Sequence, residues 1–79
     1  MKSAKEMFKE LGFDFYYCAH DFTEIYHTID FIIEICTASR TVSIGHRYYG
    51  KGKEMFCELP YEVFQAINKR IEELRCIND

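Results

Sequence analysis

Ile29-Asp30-Phe31-Ile32-Ile33-Glu34-Ile35-Cys36 is the densest run of β-branched and aromatic residues in the chain, and neither Gly nor Pro interrupts it. Side chains of this kind pack well on a pleated surface and favour extended backbone. The stretch therefore reads as the heart of a central strand, the second in the chain, running from about Ile25 to Cys36. Successive side chains point to opposite faces of a strand. Ile29, Phe31, Ile33 and Ile35 would share a core face, with Tyr26, Thr28, Asp30, Ile32 and Glu34 on the outer one.

Toward the C-terminus, Thr37 to Arg40 has the length and composition of a four-residue turn. That turn sets Cys36 opposite Thr41, Ile35 opposite Val42, Ile33 opposite Ile44 and Asp30 opposite Arg47, so every apolar inner residue meets another inner position. A third strand would run from Thr41 to Tyr49, with Gly50-Lys51 as a Gly-first hairpin loop. A fourth, Gly52 to Leu59, would turn Met55, Cys57 and Leu59 inward. The same register lines up Asp30, Arg47 and Glu54 as a charge ladder. It also sets Ile32 and Phe56 on either side of Gly45, the aromatic covering a cross-strand glycine.

Toward the N-terminus, Phe13, Phe15 and Tyr17 alternate with Asp14, Tyr16 and Cys18, the period of a strand with one buried face. Ser3 and Glu6 form a capping-box pattern ahead of a helix from Ala4 to about Leu11, and Gly12 suits the left-handed residue that ends it. After Leu59, Pro60 opens a second helix from Tyr61 to about Cys76. Its apolar stripe is Val63, Phe64, Ile67, Ile71 and Leu74. The expected fold is α+β in the order α-β-β-β-β-α, an antiparallel four-stranded meander with both helices packed on one face. Residues 1–79 make a single domain.

Composition supports a globular chain of modest core. The 79 residues are 48% hydrophobic, with 7 Phe and 6 Tyr, against one Pro and 4 Gly. No apolar run resembles a signal peptide or a membrane span, so the expected location is cytoplasmic. Cys18, Cys36, Cys57 and Cys76 are spread about one per element, and reduced, mostly buried thiols are expected. The net charge of −3 announces neither a polyanionic nor a polycationic partner.

Ala4-Lys5-Glu6-Met7-Phe8-Lys9-Glu10-Leu11-Gly12 and Ala66-Ile67-Asn68-Lys69-Arg70-Ile71-Glu72-Glu73-Leu74 resemble the two ends of small uncharacterised phage and prophage proteins of low-GC Gram-positive bacteria. The resemblance implies a mobile-element origin and carries no catalytic residue with it.

No constellation commits the chain to a reaction. Cys18 and His20, with His27 across a strand, lack the second close ligand pair of a structural zinc site. His46 falls on the inner face between Phe31 and Met55, where a core histidine is the plain reading. The chain is accordingly expected to be no enzyme and to use no cofactor or metal. What remains is the outer sheet face, with Tyr16, Tyr26, Ile32, Tyr49 and Phe56 as interface candidates. The expected function is a non-enzymatic interaction module of phage or prophage type, binding itself as a homodimer, or a host protein, through that face or a strand edge. The alternative is a weak nucleic-acid binder using the basic and aromatic hairpin, through Arg40, Arg47, Tyr49, Lys51 and Lys53.

Overall fold

The long central strand expected from Ile25 to Cys36 is two strands, broken by a hairpin at Ile29 and Asp30. A computed structural model describes residues 2–46 and 58–78. Its elements are α1 (Ala4–Glu10), β1 (Asp14–Cys18), β2 (Thr23–His27), β3 (Phe31–Cys36), β4 (Thr41–His46) and α2 (Tyr61–Asn78). The strands form one antiparallel sheet in the order β1-β2-β3-β4. The α+β element order and the four-stranded meander are thus as expected, with different residues supplying the strands. The fourth strand expected over Gly52 to Leu59, and Arg47 and Glu54 of the charge ladder, lie outside the described residues except for Glu58 and Leu59, which are in no strand.

Thr28 makes the break. Its Oγ1 accepts the N–H groups of Asp30 at 3.1 Å and Phe31 at 3.0 Å, while its own N–H donates to the Phe31 carbonyl at 2.8 Å. A hydroxyl bonding backbone two and three residues on offers the chain a turn in place of a ladder. Ile29 is left 74% exposed at the tip, not in the core.

The two-residue loop changes which side chains share a face. In a continuous strand Tyr26 would lie opposite in facing to Ile33; across the hairpin it is the direct partner of Ile33. One face of the sheet therefore carries the rows Phe15–Tyr26–Ile33–Ile44 and Tyr17–Glu24–Ile35–Val42, extended by Phe31 opposite His46. Tyr26, Ile33 and Ile35 are buried at its centre, and Phe15, Tyr17, Val42 and Ile44 are partly exposed on the flanking strands. Glu24 is buried among them and accepts the Tyr26 hydroxyl at 3.4 Å.

Both flanking hairpins use four-residue loops, and each ends on a residue in the left-handed region, Phe22 at φ 54° and Arg40 at φ 60°. The loop from Thr37 to Arg40 and the register it imposes, Cys36 to Thr41 through Ile32 to Gly45, are those expected.

The chain divides into two units, Asp14–Glu58 with the sheet, and Met1–Phe13 with Leu59–Asp79. In the helical unit, Ser3 and Glu6 form the capping box of α1. Its other end is a Schellman motif: Phe13 N–H donates to the Phe8 carbonyl and Gly12 N–H to that of Lys9, both at 3.0 Å, with Gly12 at φ 88°. The Phe8 and Phe13 rings then meet edge-on, 5.4 Å apart. Glu73 of α2 ties the helices together, accepting Ala4 N–H at 3.0 Å through one oxygen and Arg70 at 3.2 Å through the other. The buried stripe of α2 is Val63, Ala66 and Ile67: Val63 and Ile67 are as expected, while Phe64 and Ile71 of the expected stripe sit on its margin, 45% and 37% exposed. Small Ala66 takes a place on the buried face that a count of large apolar residues overlooks.

Candidate functional site

The second face of the sheet is built from the residues that alternate with the core row. It carries Asp14, Tyr16 and Cys18 of β1, Thr23, Ile25 and His27 of β2, Ile32, Glu34 and Cys36 of β3, and Thr41, Ser43 and Gly45 of β4. Tyr16 is 59% exposed and lies directly across from Ile25. Ile32 is half-buried between His27 and Gly45, and Ile25 is flanked by Tyr16 and Glu34. Apolar surface thus crosses β1, β2 and β3 diagonally, with Asp14 and Glu34 exposed beside it.

Of the five residues expected to form an interface, Tyr16 and Ile32 do share this face. Tyr26 does not: it is 2% exposed on the other face, its ring 5.0 Å from that of Phe15. The hairpin at Ile29 and Asp30 reverses the facing of every β2 residue relative to β3, and that reversal removes Tyr26 from the site. Ile25 takes its place there. The signal for it was local, a Thr two residues ahead of an Asp, which is a turn pattern even inside an apolar run. Tyr49 and Phe56 lie outside the described residues, as do Arg47, Lys51 and Lys53 of the basic hairpin; Arg40 is exposed at the end of its loop.

Where the sheet turns, two thiols meet the loop backbone. Cys18 and Cys36 flank Thr23 in one row, two strand spacings or about 10 Å apart, beyond the reach of a disulfide. The Cys18 thiol donates to Asp21 Oδ2 and that of Cys36 to the Asp21 carbonyl, each at 3.6 Å. Cys36 also accepts from the loop that follows it, with Ser39 N–H at 3.5 Å. Hydrogen bonds from Ser39, side chain first and then backbone, with Ala38 and Thr23 adding to them, hold the Cys36 thiol below its usual pKa. Cys18, Cys36 and Cys76 are free, and against expectation none of the three is fully buried.

The histidines are not gathered with these thiols. His27 pairs with Asp14 at the far end of β1 from Cys18, and His20 lies in the loop between β1 and β2. His46 packs edge-on against Phe31, with ring centroids 5.2 Å apart, as its inner-face placement implied. Among the described residues no group of three or more His, Cys, Asp or Glu side chains is arranged to hold a metal, and no helix is long and apolar enough to cross a membrane.

Within the helical unit an open groove of about 460 Å³ is lined by Lys2, Met7, Gln65, Asn68, Lys69 and Glu72. Lys2 is already paired with Glu10 at 2.7 Å, and among the described residues no buried side-chain polar atom lacks a hydrogen bond. Nothing in that groove demands a ligand. No protein-family model, curated protein or solved structure matches the chain.

Proposed function

We propose that the chain is a non-enzymatic interaction module of the kind encoded by phages and prophages, acting in the cytoplasm. It binds a second copy of itself, or a host protein, through the second face of the sheet or an exposed strand edge. The observation that carries this reading is the apolar diagonal of Tyr16, Ile25 and Ile32 on a face whose remaining positions are short or polar. Such a patch, aromatic and aliphatic at its centre and acidic at its rim, has the composition of a recognition surface. The terminal-helix resemblance supports the phage assignment.

Tyr16→Glu combined with Ile32→Glu places charge at two points of the patch without touching the core face. Wild-type chain should self-associate or bind a partner in sedimentation and binding assays, and the double variant should lose that association while keeping its circular dichroism. A monomeric wild type whose double variant captures the same proteins would show that the face is not an interface.

A further inference from the structure

The second face of the sheet supplies both halves of a polar contact with itself; the contact rests on the interaction-module reading and narrows it to one partner. Tyr16, Ile25 and Glu34 lie in one row across β1, β2 and β3, so the Tyr16 hydroxyl and the Glu34 carboxylate stand evenly on either side of Ile25. Two strand spacings, about 10 Å, keep them apart within the chain. Both side chains are exposed, and neither has a hydrogen-bond partner among the described residues. A donor and an acceptor placed evenly about one strand meet when a second copy is turned over onto that strand.

Packed sheets stand about 10 Å apart with their strands within about 30° of each other. A two-fold axis between the two faces, running along β2 and tilted by about half that angle, stacks Ile25 on Ile25 and sets Tyr16 of each copy over Glu34 of the other. A tyrosine and a glutamate extended toward each other span the gap. The bond is made twice, and a hydroxyl bonded to a carboxylate is among the stronger kinds. Asp14 falls over Ile32 of the second copy, and His27 over its own counterpart. Carboxylates facing each other across the interface stay about 12 Å or more apart at Cα, beyond the Debye length of about 8 Å at physiological salt. Other axes lose these features. Along β3, or across the strands through the central row, Glu34 stacks on Glu34; midway between β2 and β3, Ile25 covers the Glu34 carboxylate and gives it no donor. We propose that two copies pack their second faces together about β2, with Tyr16 of each donating to Glu34 of the other. The contact draws three positions from each of β1, β2 and β3. That is well short of the roughly 20 to 30 residues a side of a standard interface, so the dimer assembles with rising concentration and is not permanent.

Charge reversal in mixed chains reads the register directly in sedimentation, with circular dichroism to show that each variant is folded. Tyr16→Phe should raise the dimer dissociation constant about tenfold or more, since it deletes both hydroxyls. Tyr16→Glu faces carboxylate with carboxylate and should give a monomer. Mixing Tyr16→Glu chains with Glu34→Lys chains brings opposite charges together at one contact and keeps the native pair at the other, so the mixture should hold more dimer than either variant alone. Ser43→Glu, on β4 outside the overlap, should leave the wild-type dimer intact. A mixture no more associated than its components, or a dimer dissolved by Ser43→Glu, overturns the inference; if Tyr16→Glu with Ile32→Glu still abolishes association, the sheet-face reading stands without this pairing. A wild type that stays monomeric to millimolar concentration also overturns it, and binding of host proteins lost in that double variant would again leave the face as an interface.

Discussion

Ile33→Ala removes three carbon groups from a side chain that is fully buried at the centre of the sheet, between Tyr26 and Ile44. At about 0.8 kcal/mol for each buried group the lost transfer energy is about 2.4 kcal/mol, and incomplete collapse of the resulting cavity adds about 1 kcal/mol. The sum, about 3 to 4 kcal/mol, is a large part of the roughly 5 to 15 kcal/mol that holds a small domain together. Ile29→Ala, the same change four residues earlier, acts on a side chain 74% exposed at the tip of the hairpin, and its expected effect is within about 0.5 kcal/mol. Urea unfolding followed by circular dichroism separates the two. With a slope of about 1 kcal/mol/M for a chain this short, Ile33→Ala should lower the midpoint by about 3 M, or unfold the chain in buffer, while Ile29→Ala leaves it nearly unmoved. Equal losses from the two substitutions would refute the hairpin, because a continuous strand from Ile25 to Cys36 puts both residues on one buried face.

Thr28→Val keeps the shape of the turn residue and deletes the oxygen that receives Asp30 and Phe31 N–H; it should cost about 1 kcal/mol, measured by the same titration. Ser3→Ala should cost about 1 kcal/mol at neutral pH through the lost cap. Ser3 holds the Glu6 carboxyl below its usual pKa, first through its backbone N–H and then its hydroxyl. That contribution is present above the ordinary carboxylate pKa and lost as pH falls through the lowered one; Ser3→Ala removes only the hydroxyl's share of it, so the gap between wild type and variant should narrow on acidification without closing. Cys36, its thiolate favoured by the Ser39 hydrogen bonds, should be alkylated with a pH midpoint below that of the same residue in the urea-unfolded chain; an identical midpoint would contradict the loop geometry.

The parts of the fold legible in the sequence are those fixed by short-range chemistry. Ser3 with Glu6, Gly12, and the four residues after Cys36 each announce a backbone event within one turn, and all three stand in the structure. Thr28 to Asp30 announces one too, but Ile29 sits in its middle, and a β-branched residue inside an apolar run reads as strand. The cost of that reading is one inversion of facing. It leaves β3 and β4 correctly paired and exchanges the roles of Tyr26 and Ile29, the first moving into the core and the second out of it. Tyr16 and Ile32 keep their outward facing because each belongs to a strand whose own alternation was read correctly. Buried Glu24 was not legible, since a carboxylate just ahead of the apolar run gives no sign that the alternation of β2 will carry it onto the apolar face.

Sedimentation velocity of the wild-type chain from micromolar to millimolar concentration, run beside Tyr16→Glu with Ile32→Glu, tests the interaction reading most directly. The expected result is a monomer–dimer equilibrium in the wild type that shifts with concentration and disappears in the variant. A single monomeric species throughout, with the variant retaining every binding partner of the wild type, would contradict it.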